Sequence, residues 1–76
     1  MNDIIYAIIA EYERADRIHP NFKSTHEAYA VILEELDEFW DEVKKNKPDY
    51  KNMKKELIQI AAMCIKTIDN FQLEIE

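Results

Sequence analysis

The sequence predicts an all-α protein, a three-helix chain that assembles into an oligomeric helical bundle, either a dimer or a tetramer. Three observations predict it. Apolar residues recur at helical spacing in three long segments separated by proline-marked turns. A chain of 76 residues buries only about 60% of its unfolded surface and is marginal alone, yet 47% of this one is apolar, more than one small core needs. The middle of the third segment is apolar on nearly every side, which three helices in one chain can hardly enclose.

The first helix, about residues 3–18, carries Ile4, Ile5, Ile8, Ile9, Tyr12 and Ala15 as one apolar stripe. Asn2 is its expected cap, and His19-Pro20 ends it. The second, about 25–45, opens on Ser24 and Glu27 at the spacing of a capping box, in which each side chain closes an amide of the other residue. Tyr29, Ile32, Leu33, Leu36, Phe39, Trp40 and Val43 are expected on its core half, and Glu34, Asp37, Glu38, Asp41 and Glu42 on the other. Glu35 falls at the boundary. Pro48 and Asp49 mark the next turn, and the third helix runs over about 50–73, with "LIQIAAMCI" apolar throughout except at Gln59. The whole of 1–76 reads as one domain.

Composition removes several classes of function. No segment approaches the roughly 18 uninterrupted apolar residues of a membrane span, and the N-terminus lacks a basic leader and a cleavage site, so a cytoplasmic protein is expected. Cys64, the single cysteine, excludes an internal disulfide and a cysteine-based zinc site, and is expected to be a buried filler. A net charge of -6 disfavours nucleic acid, although the lysines clustered around residues 44–55 leave room for a small anion. The absence of glycine removes phosphate-cradling loops, so phosphate chemistry here would need a metal.

The distinctive stretch is "HEAYAVILEELDEFWDEV", which has seven carboxylates and neither lysine nor arginine. Glu34 with Glu38, Asp37 with Asp41 and Glu38 with Glu42 are like-charge pairs one turn apart, each unfavourable by about 0.2–0.5 kcal/mol. One reading is a solvated face offset by lysines from the third helix. The other is a hard-cation site: magnesium takes oxygen ligands, and Glu35, at the core edge, is costly to ionise without a cation. Glu38 stands beside it. Glu56, with Gln59 three residues on, is the candidate from the facing helix. Other metal chemistry fits less well. Neither His19 nor His26 completes a Glu-x-x-His pair, and Ala30 stands where the second histidine of a zinc-protease helix belongs.

Glu34-Glu35-Leu36-Asp37-Glu38 reads E-E-x-x-E, and Glu56 opens an E-x-x-Q eighteen residues after Glu38. Together they resemble the E-E-x-x-E…E-x-x-D signature of the MazG-like all-α nucleoside triphosphate pyrophosphohydrolases, over about residues 20–70. The resemblance implies a magnesium-dependent enzyme, with manganese as a substitute, that cleaves a nucleoside triphosphate between its α and β phosphates. It implies Glu35, Glu38 and Glu56 as metal ligands, Gln59 at the fourth signature position, and Glu34 with Glu35 as the groups acting on the attacking water. Gln59 departs from the signature: its carbonyl can ligate a cation but brings no charge, so weaker metal binding is expected. The same residues admit a rival of another class, a helical dimerisation module that kept the bundle and lost catalysis.

Overall fold

A computed structural model describes residues 1–73, and these form three helices and no strand: α1 (Asn2–Ile18), α2 (Thr25–Val43) and α3 (Tyr50–Phe71). No helix among the described residues is long and apolar enough to cross a membrane.

Local chemistry sets each boundary. Met1, not Asn2, is the N-cap of α1, and no side chain closes that end. The amides of Ile4 and Ile5 instead donate to the Met1 carbonyl at 3.1 and 3.2 Å. At the other end His19 is extended, φ -115° and ψ 142°, as a residue before proline prefers. Ser24 caps α2, its Oγ accepting from the Glu27 amide at 3.1 Å. Glu27 returns its Oε1 to the Lys23 amide at 3.2 Å, one residue earlier than a capping box requires. Asp49 caps α3 by accepting from the amides of Lys51 and Asn52. That helix ends on Gln72, left-handed at φ 49° in a chain without glycine. The amides of Gln72 and Leu73 satisfy the carbonyls of Asp69 and Ile68, the pairing of a Schellman motif.

The third helix is the hub. Both other helices pack on α3, and no Cα of α1 comes within 8 Å of one in α2. The connection between them is tied to the C-terminal half of α3. Lys66 Nζ donates to the Pro20 carbonyl at 3.2 Å and lies 5.0 Å from the Phe22 ring centre, while Asn70 Oδ1 accepts from the Phe22 amide at 2.8 Å. Tyr12 adds a bond to Asp69 Oδ2 at 2.9 Å. Lys66 is almost wholly buried, and its stem fills space that an apolar residue would otherwise take. These ties make α1 run alongside α3 in the same direction, with α2 antiparallel to both.

The core is small: Ala15, Ala62 and Met63, with Tyr12, Phe22, Val31 and Ile32 against them. The α1 stripe packs only toward its C-terminal end, and Ile4, Ile5 and Ile9 stay exposed. The packed face of α2 is turned relative to the expected one. Ala28 and Glu42 are buried, and Val31, Ile32, Glu35 and Phe39 are half-buried. Tyr29, Leu33, Leu36, Trp40 and Val43, all expected in the core, are exposed. At 100° per residue these five form a second apolar stripe, about a quarter-turn from the packed face and at alternating four- and three-residue intervals. On α3, Leu57, Ile65 and Ile68 also face outward, and so does Cys64, which is not the buried filler its neighbours suggested. Three helices do not enclose the apolar girth of α3.

Candidate metal centre

Glu35 and Glu38 lie on adjoining turns of α2, and the antiparallel packing brings Glu56 of α3 opposite them. One carboxylate oxygen from each of the three lies within 4.8 Å of the other two. Glu35 and Glu56 are half-buried and Glu38 is exposed, so the cluster opens to solvent on the Glu38 side. An octahedral magnesium with oxygens at 2.0–2.1 Å sets neighbouring ligands about 3 Å apart and opposed ones about 4.2 Å. The three oxygens are near enough to share one hard cation once drawn inward, the rest of its shell being left to water and phosphate oxygens.

Electrostatics mark Glu35 and Glu38. Burial pushes the Glu35 carboxyl up to about 7, helped by the charge of Glu38, a hydrogen bond with the Glu56 carboxyl, and the charges of Glu56 and Glu34. Glu38 is also raised, first by its hydrogen bond with Glu56, then by burial, and by the charges of Glu56 and Glu34, with Lys55 opposing. Carboxylates this close resist simultaneous ionisation, so ionising the cluster without a cation is costly.

Gln59 sits over the cluster. In the amide orientation that satisfies its hydrogen bonds, its Nε2 donates to Glu35 Oε2 at 2.9 Å and to Glu56 Oε2 at 3.2 Å. Gln59 thus acts as a donor, compensating part of the negative charge. A half-turn of the amide would put its oxygen there instead, so the same side chain can serve the cluster with or without a cation.

Glu34 is placed differently. It is exposed, lies outside the group of three, and lines a cavity of about 460 Å³ with His19, Phe22, Met63 and Lys66. Its charge still reaches Glu35 and Glu38.

The remaining acidic residues of α2 divide. Glu42, expected on the solvent-facing half, is 6% exposed. Its Oε1 accepts from the Asp49 amide at 2.8 Å and its Oε2 from Lys45 Nζ at 3.0 Å, bracing the turn into α3. Those donors, the Asp49 amide first, hold its carboxyl below the usual range. Residue type alone missed this role. The signal was present in the spacing, because Glu42 follows Ala28 and Glu35 at seven-residue intervals on the packed face. Asp41 pairs with Lys44 at 3.1 Å, as expected for a solvated face.

A further basic element adjoins the cluster. Between α1 and α3 a groove of about 700 Å³ is lined by Arg14, Lys51, Lys54 and Lys55, with Glu11, and reaches Gln59. No family model matches the chain, and neither a curated protein nor a solved structure matches it.

Proposed function

We propose that the protein is a magnesium-dependent nucleoside triphosphate pyrophosphohydrolase, giving the monophosphate and pyrophosphate. The observation that carries this reading is the convergence of Glu35, Glu38 and Glu56 from two helices to within 4.8 Å. These three carboxylates would hold the cation, with Gln59 able to offer its amide oxygen after a half-turn. Magnesium, or manganese, bound there supplies neutralisation of phosphate charge and a more acidic bound water. A water oxygen bonds to the α phosphorus, the bond from that phosphorus to the α–β bridging oxygen breaks, and its electron pair leaves with pyrophosphate. The water's proton passes to a carboxylate oxygen of Glu35 or Glu34.

The working unit in this reading is a homo-oligomer, a dimer or a tetramer. The isolated chain exposes 6030 Å², against roughly 4,900 Å² for a compact monomer of its mass. Its radius of gyration is 13.2 Å, against about 11 Å expected. The excess area, about 1,100 Å², is more than the roughly 800 Å² that each partner of a standard interface gives up. The outward stripe Tyr29, Leu33, Leu36, Trp40 and Val43 is the surface that a second copy would cover.

A second reading draws support from Gln59. An amide donating to Glu35 and Glu56 is what a bundle that has lost its cation would retain, leaving a dimerisation module. Incubation with each ribo- and deoxyribonucleoside triphosphate and magnesium, following pyrophosphate, separates the two. The enzyme reading expects release by the wild type and a loss of at least about 100-fold in Glu35→Gln. No release with any nucleotide from either protein sinks it.

A further inference from the structure

The first turns of α3 carry a cost that the fold offsets only in part, through the reach of Lys55 to Glu11 and Glu38. Lys51, Lys54 and Lys55 stand at three- and four-residue spacing, so each like-charge neighbour is unfavourable by about 0.2–0.5 kcal/mol. They also sit at the positive end of the helix dipole, where cations are disfavoured and acidic residues are usual. No acidic residue occupies that first turn beyond the Asp49 cap. Among the described residues none of the three lysines makes an ion pair, whereas Lys44, Lys45 and Arg14 each do. In a chain of net charge -6, this groove gathers four cations against one carboxylate, Glu11, which Arg14 already engages at 2.6 Å.

The groove leads to the carboxylate cluster. Lys51 to Gln59 spans about 12 Å along α3, Gln59 lines the groove and donates to Glu35 and Glu56, and Lys55 acts electrostatically on both Glu11 and Glu38. A volume of about 700 Å³ lies within the usual range for small-molecule sites. We propose that the groove between α1 and α3 is an oxyanion site for a di- or triphosphate chain, gripped by Lys51, Lys54 and Lys55 with its inner end at Gln59. This deepens, and in its catalytic sense rests on, the pyrophosphohydrolase reading: the phosphates that leave lie along the lysines, and the phosphorus that is attacked lies by the carboxylates. Pyrophosphate is then both product and inhibitor.

The test is calorimetric titration of the full chain with inorganic pyrophosphate and tripolyphosphate at low salt, without and with magnesium. Wild type should bind both without a divalent ion, more weakly as salt screens the lysines. Lys51→Ala/Lys54→Ala should bind on the order of tenfold more weakly while staying folded, since removing cations from that helix end relieves repulsion. Lys44→Ala/Lys47→Ala, with the same charge removed outside the groove, should bind as wild type. Absence of binding, or equal weakening in the two double variants, overturns the oxyanion site. The two proposals fail separately. Pyrophosphate binding without any nucleotide turnover leaves the groove standing and removes the enzyme. Turnover with an unchanged KM in Lys51→Ala/Lys54→Ala leaves the enzyme and removes the groove.

Discussion

Glu35 and Glu42 lie two turns apart on the same face of α2 and both turn toward α3, yet their surroundings have opposite character. Glu42 meets donors, the Asp49 amide and Lys45, and its carboxyl is held below the usual range. Glu35 meets Glu38 and Glu56, with only the Gln59 amide to answer, and its carboxyl is pushed up to about 7. One carboxylate is part of the scaffold. The other is held where its charge is unwelcome, as the proposed cation site requires and a satisfied contact does not.

This contrast can be broken by titrating stability. The largest effect is expected from Glu42→Ala, which leaves the Asp49 amide and the turn into α3 without their acceptor; the melting temperature at pH 7 should fall by about 5–10 °C. Because the folded pKa of Glu42 lies below the usual 4.5, its contribution is present above that value and is lost as pH falls through the folded pKa. The gap between variant and wild type should therefore close in acid. A gap independent of pH would mean that packing, not charge, is what Glu42 supplies.

Glu35→Gln should act in the opposite direction and less strongly. A folded pKa of about 7 against 4.5 means that the native state holds the extra proton. Wild-type stability is then undiminished below about pH 4.5 and declines as pH rises through about 7. Without metal, the glutamine variant should melt about 3 °C above wild type at pH 8, partial solvation keeping the gain small, and merge with it in acid. Thermal scans across pH check both. A Glu35→Gln variant less stable than wild type at pH 8 would remove the strain assigned to the cluster. The smallest effect belongs to Asp37→Asn on the solvent side, within about 0.5 kcal/mol at any pH.

Much of this was legible in the residues. Helical spacing located three helices, and Ser24 and Asp49 announced the starts of α2 and α3 because a capping oxygen acts locally. Glu35, Glu38 and Glu56 were legible as a set, and the structure brings them together. The direction in which α2 faces was not legible. Its sequence offers two adjacent stripes, and which one packs is decided by α3, so Trp40 and Leu36 face outward while Glu42 is buried. Cys64 was misplaced for the same reason, and nothing in the residues pointed to the burial of Lys66. A lysine buried against a carbonyl and an aromatic ring, and a cysteine turned outward in an apolar run, depend on which neighbours a helix meets. The Gln59 amide acting as a donor required its distances to both carboxylates.

The central claim, that three carboxylates from α2 and α3 form a cation site, is tested most directly by the melting temperature with and without magnesium at pH 8, for wild type and Glu38→Gln. Magnesium at about ten times its dissociation constant should stabilise wild type by about 1.4 kcal/mol, a rise of about 6–11 °C, and leave Glu38→Gln unmoved. An equal rise in both proteins, or none in wild type at millimolar magnesium, would contradict it.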